Sequence, residues 1–208
     1  QRLAVRLARP QAIVVVSAHW ESAAPRVGGA AWPETIHDFG GFPAALYRLD
    51  YPAPGAPELA ERLCASLRGA GWAAAVDPGR GLDHGAWVPL RTLFPATEVP
   101  VVPLSVQPAA DARQHYALGE ALAGLPGENI LILASGHLTH NLGEFFHARG
   151  QGPSDAAQAF RAWVEAQLAN GEDDALLDWE NAPGAVQAHP TPEHLLPLFV
   201  VLGAAGRG

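Results

Sequence analysis

The sequence predicts an α/β protein, a three-layer α/β/α sandwich around a mostly parallel central sheet. Three observations carry that expectation. Short β-branched runs alternate with stretches of helical periodicity. The runs are continuously apolar, as in strands buried on both faces. At 208 residues and 49% hydrophobic content, the chain can fill one sizeable core.

The first strand is expected over Ala12–Ser17, an unbroken run of Ala, Ile, Val and Ser. Residues 57–71 read as a helix: Pro57 opens it, Leu59, Leu63 and Leu67 recur at i, i+4 and i+8, and Gly71 closes it. A second strand is expected over 72–76. Residues 84–94 read as a helix despite Pro89. A third strand covers 99–106, where the prolines suggest an interruption or a sheet edge. Asp111 is a natural cap for a helix running to about Ala123. Residues 129–135 form a fourth strand, expected at the centre of the sheet. A helix follows over 153–170, and a last one from Pro192 to about Gly203, with Thr191 as its cap. Gln1–Leu3 read as mid-helix, and the chain contains no Met. We therefore expect residues 1–208 to be a single catalytic domain lacking segments at both ends.

Composition removes several classes of function. Charged residues are 16% of the chain, too few for a disordered protein at this hydrophobicity. The net charge is -8 and the 13 basic residues, all Arg, do not cluster, so no phosphate-binding patch and no nucleic-acid partner are expected. A single cysteine, Cys64, excludes an internal disulfide or a thiolate-rich metal site. No apolar run reaches the ~20 residues of a membrane helix and no secretory signal opens the chain, so a cytoplasmic location is expected.

The chemistry concentrates in nine histidines. His19 follows the first strand, and His137 and His140 follow the fourth, at the carboxyl ends of strands where α/β sheets place ligands. A lone strand-end imidazole is explained by a bond to a backbone carbonyl; two strands ending alike favour a site. His84 lies between glycines in Gly81–Trp87, where Asp83 either orients an imidazole or caps the helix. His37, Asp38 and Phe39 lie in a glycine-rich aromatic loop that suits either a substrate-facing flap or a packed turn. His189 and His194 bracket a Pro-Thr-Pro-Glu stretch, and Glu193 there is also explained by the helix dipole. His115 and His147 read as surface residues. The chain has no Gly-x-Ser-x-Gly elbow, no phosphate loop, no Gly-x-Gly-x-x-Gly and no His-Glu-x-x-His. What remains is a His-rich site without sulfur, suited to Fe(II) or Zn(II).

Ser17-Ala18-His19-Trp20, Thr35 to Pro43, Asp83-His84-Gly85-x-Trp87, Thr139-His140-Asn141-Leu142 and Pro192-Glu193-His194 together resemble the DOPA 4,5-dioxygenase-like proteins among the class III extradiol dioxygenases, relatives of the protocatechuate 4,5-dioxygenase catalytic subunit. The motifs occur in order from about residue 10 to residue 203. The resemblance implies a mononuclear non-haem metal, Fe(II) in active enzyme and often Zn(II) as purified, held by three side chains. His19 and His194 match two of them, with Glu193 competing for the second place. The third is a His in a His-Gly-Ser-Pro motif that this sequence does not contain. By the same resemblance His140 is the catalytic acid–base and His84 a second active-site imidazole. His37, Asp38 and Phe39 of the glycine-rich loop, and His137, which falls at a position variable in that family, are the substrate-binding candidates. Trp20, Phe39 and Phe42 either wall the aromatic ring or pack in the core. The implied reaction inserts O2 into a substituted catechol to give a muconic semialdehyde. Its partners are a small aromatic diol and O2, with no nucleic acid or membrane; a homo-oligomer is compatible. The competing readings are a Zn(II) hydrolase and a non-catalytic metal-binding relative.

Overall fold

The computed structural model describes residues 9–148 and 152–206; the helical reading of Gln1–Leu3 and the chain's last two residues lie outside them. Five strands form one sheet: β1 (Ala12–Glu21), β2 (Arg26–Gly28), β3 (Ala75–Asp77), β4 (Val101–Val106) and β5 (Ile130–Ser135), in the order β3-β2-β4-β1-β5. β1 pairs parallel with both β4 and β5, and β2 parallel with β3; β2 meets β4 antiparallel at Val27↔Leu104. The mostly parallel three-layer sandwich read from the sequence is the fold observed.

Alternation along the strands divides the core. Val14, Val16, Val102 and Leu104 face one layer, built on α1 (Pro57–Gly69), α3 (Ala112–Glu120), α5 (Asp155–Asn170) and α8 (Leu196–Ala205). Ile13, Val15 and Val101 face the other, where α2 (His84–Leu93) contributes Ala86, Trp87 and Leu90. Short α-helices α4 (Leu142–His147), α6 (Asp173–Leu177) and α7 (Ala185–Ala188) and three 3-10 turns, Leu46–Arg48, Leu125–Glu128 and Trp179–Asn181, complete the described elements. α1 buries Leu59, Leu63 and Leu67 as their spacing requires. In α3 the expected Asp111 cap becomes a full capping box with Gln114. Gly119 of α3 and Gly203 of α8 let these two helices meet backbone to backbone: a Cβ at either would lie 2.1 or 2.0 Å from the other helix's carbonyl oxygen.

Four expectations are corrected. β4 is neither interrupted nor an edge; all six residues are buried, and Pro103, in register with Val15 of β1, lies where the pairing with β2 is limited to Val27↔Leu104. β5 is an edge strand, not the central one, pairing with β1 alone. Its apolar run reports contact on its faces and carries no information about its edges. Thr191 does not cap the last helix, which starts four residues later than expected; its hydroxyl donates to Glu193 instead. His115 is 1% exposed, its Nδ1–H donating to the Asp111 carbonyl and its Nε2 accepting from the Gln107 N–H.

Candidate active site

The first imidazole is presented by a break in the sheet. Val16 pairs with Leu104, yet Glu21 pairs with Val106, so residues between them bulge out of the ladder. His19 thus lies within β1, not just after it. From Ala12 to Trp20 every residue is buried except His19. Ser17 fixes the bend: its Oγ accepts the His19 N–H at 3.2 Å and donates to Asp83 Oδ1 at 2.6 Å.

Asp83 is the cap of α2, accepting from the Ala86 N–H at 3.1 Å. It is 1% exposed, and its buried charge is compensated by Arg80, whose guanidinium also lies 4.8 Å over the Trp20 ring. Trp20 therefore packs behind the site and does not wall it. The imidazole partner is Asp38: its Oδ1 accepts the His84 N–H at 2.8 Å and lies 2.9 Å from His84 Nδ1, within ion-pair distance but off the line of a hydrogen bond. Burial alone would raise the Asp38 pKa; the His84 contacts outweigh it and hold the carboxylate below its ordinary value. Pro89 deprives the Gly85 carbonyl of its helical donor, and Ser135 Oγ at the end of β5 takes that place. The proline thereby ties α2 to the strand that precedes His137.

His137 and His140 lie in the turn after β5, pinned by backbone bonds to distant chain: His137 N–H to the His194 carbonyl at 2.9 Å and His140 N–H to the Ala188 carbonyl at 2.7 Å. His189, 4% exposed, donates from Nε2 to the Leu138 carbonyl at 2.9 Å and supports the same turn from behind. In the turn before α8, Glu193 Oε1 accepts from Thr191 Oγ1 at 3.0 Å and from His194 Nδ1–H at 2.8 Å. With its proton directed at that carboxylate, His194 presents Nε2 as a lone pair, and this atom is buried without a partner. Burial, with His140 and His19 nearby, lowers the His194 pKa to about 4 despite Glu193. The ring is neutral at pH 7, the form that binds a metal.

The imidazoles form a row. Ring centroids are 3.9 Å apart for His84 and His19, 5.0 Å for His19 and His194, and 3.4 Å for His194 and His140, which stack. His137 flanks the end, 5.6 Å from His140 and 5.7 Å from His194. Burial, then the neighbouring His84, lowers the His19 pKa; burial, then His137, lowers that of His140. Two trios have donor atoms mutually within 4.8 Å, namely His19, Asp38 and His84, and His140, Glu193 and His194. The orphaned buried Nε2 of His194, beside His19 and His140 whose pKa values burial also lowers, fits a bound divalent metal.

Two clefts meet at His84. One, of about 290 Å³, is lined by His19, His84, Gly85, Ser135, Gly136 and His137. The other, of about 540 Å³, is lined chiefly by Phe39, Phe42, Leu46, Trp87, Val88 and Arg91. Of the residues proposed from sequence, His19, His84, His137, His140 and His194 converge. Asp38 stands at the row itself, 4.0 Å from His19 Nδ1 as well as beside His84. Phe39 walls the larger cleft, whereas His37 is turned away, its Nε2–H donating to the Leu49 carbonyl at 2.9 Å. Sequence reasoning missed Glu193 as the acceptor for His194, the supporting His189 and the cleft residue Arg91; spacing on α2 is the signal that would have exposed the last.

Gly85 shows how tightly the row is held. A Cβ there would lie 2.5 Å from Ser17 Oγ and 2.8 Å from His19 Cδ2. Gly85→Ala is expected to lower stability by about 1–3 kcal/mol, strain outweighing the ~1 kcal/mol propensity gain, and to weaken metal binding by moving His19. Thermal unfolding with metal titration checks this; wild-type values in both would refute it.

An α/β sheet that gathers imidazoles at its carboxyl end, with nitrogen and oxygen donors and no sulfur, defines a metalloenzyme of the kind that activates small molecules at an open metal site. The family described as the catalytic LigB subunit of aromatic ring-opening dioxygenase matches residues 1–208. A Beta vulgaris protein named 4,5-DOPA dioxygenase extradiol is 47% identical over 205 residues, covering 95% of this chain and 74% of that protein. An Escherichia coli protein of the same name is 43% identical over 208 residues, covering 98% and 76%. The crystal structure of an uncharacterized Escherichia coli protein superposes with a TM-score of 0.81 at 36% identity, covering 98% of this chain and 79% of that one. The chain belongs to the LigB family and is an extradiol ring-cleaving dioxygenase, metal-dependent as that family is. No helix among the described residues is long and apolar enough to cross a membrane.

Proposed function

We propose that the chain, acting as one catalytic domain, cleaves a DOPA-like catechol with O2 to a muconic semialdehyde, using Fe(II) held by His19 and His194. The observation that carries this is the buried, partnerless Nε2 of His194 beside His19. The names of the relatives support DOPA as the type substrate. Iron, when bound, supplies an electron-rich centre open to the catechol oxygens and to O2. The protein's part is positioning and proton movement. Neutral His140 takes a catechol hydroxyl proton and returns it as the O–O bond breaks. His84, steadied by Asp38, hydrogen-bonds the charge that develops on oxygen. His137 borders the smaller cleft, while Phe39 and Phe42 hold the ring. His37 acts at one remove, packing edge-on against Phe39 with centroids 5.7 Å apart. Glu193 serves as the partner that orients His194.

The test is anaerobic loading with Fe(II), then DOPA, caffeate or protocatechuate in air. Stoichiometric oxygen uptake with a new yellow chromophore is expected for DOPA. Iron-loaded protein that consumes no oxygen with any of the three would refute the proposal.

A further inference from the structure

The larger cleft has a feature that cleavage of the ring does not require. His84, Trp87, Val88 and Arg91 fall at i, i+3, i+4 and i+7 of α2 and all line it, so they share one face of that helix. At 1.5 Å per residue, Arg91 stands about 10 Å along the axis from His84. The walls between them are apolar. Among the described residues the Arg91 side chain makes no hydrogen bond or ion pair, like Arg48 and Arg113 and unlike Arg9, Arg62, Arg80 and Arg161, which are paired with carboxylates; of the unpaired ones Arg91 lines this cleft. The last turn of α2 suits a cation through the helix dipole, which explains a basic residue there but not the apolar cleft leading to it.

We propose that Arg91 determines substrate specificity by reading a carboxylate at the end of the catechol's side chain. The proposal rests on the catechol reading above. With the ring's hydroxyls at the imidazole row, the ring enters beside His84, Phe39 and Trp87. A two- or three-carbon tail then runs along α2 and delivers its acid to the guanidinium, whose planar fork matches a carboxylate. The protein's net charge of -8 repels anions in general, so acid recognition requires a local cation. Catechols with an acid tail are selected over neutral ones, and cationic ones are disfavoured.

Three substrates separate the effects: 3-(3,4-dihydroxyphenyl)propionate, 4-methylcatechol and dopamine. In the iron-loaded enzyme, Arg91→Gln is expected to lower kcat/KM for the acid relative to 4-methylcatechol at least about tenfold, mainly through KM. Arg91→Glu should reverse the order of the acid and dopamine. An acid preference unchanged in both variants would overturn the proposal. A second measurement needs no metal and no turnover: calorimetric binding of 3-phenylpropionate, weakened most by Arg91→Gln and less by Arg91→Lys, which keeps the charge but loses the planar fork. Equal affinity in wild type and Arg91→Gln would overturn the proposal even if catechols are cleaved. Arg91-dependent binding without cleavage of any catechol would sustain the acid subsite and refute the reaction assigned above.

Discussion

Replacing His194 with alanine is expected to abolish stoichiometric metal binding and, with it, ring cleavage. The substitution removes an Nε2 that is buried and without a protein partner, held neutral by burial that lowers its pKa to about 4. Glu193→Gln makes the informative contrast. If Glu193 works by holding His194 Nδ1–H at 2.8 Å, its amide still accepts that bond and only the charge is lost. A supporting carboxylate of this kind is worth roughly 10–100-fold in metal affinity, so Glu193→Gln should bind metal weakly while His194→Ala binds none. Metal content by atomic absorption after dialysis, with affinity by competition against a chelator, reads both. The reverse ranking would make Glu193 the ligand and His194 its neighbour. Thr191 offers a smaller check, since its hydroxyl shares Glu193 Oε1.

That ranking matters because the sequence leaves the two adjacent residues in competition. Periodicity reveals what repeats: the leucines of α1, the β-branched runs of β1 and β5, and the histidines that end them. It does not reveal which atom of a side chain faces a neighbour eighty residues away. Asp83 and Asp38 illustrate this. Both sit near a histidine in sequence, and only the fold shows that Asp83 caps α2 and pairs with Arg80 while Asp38 holds His84 across 46 positions. His115 shows the converse, a residue that reads as exposed yet is buried because two backbone groups satisfy both ring nitrogens. The bulge that frees His19 was legible as a strand end but not as an irregularity inside a longer strand. Such a shift depends on how β1 pairs with β4, and a single strand's pattern cannot carry it.

His140→Gln separates proton transfer from metal binding. His140 stacks on His194 at 3.4 Å, and its Nδ1 lies 3.9 Å from Glu193 Oε1, so its donor atom is close enough to the others to be a ligand instead. As an acid–base it must be neutral to accept the catechol proton. Burial, then the nearby His137, lowers its pKa below that of a free imidazole, which keeps the base form populated below pH 6.5. The sign follows: activity is present above the lowered pKa and is lost as pH falls through it. His140→Gln is expected to reduce kcat by about 10²–10⁴ with metal content unchanged, and to remove the acid limb of the kcat profile assigned to this group. Loss of metal along with activity would move His140 from proton carrier to ligand. Retained metal with an unchanged acid limb would assign the proton to another member of the row, and His84, 3.9 Å from His19 and steadied by Asp38, is then the imidazole to substitute next.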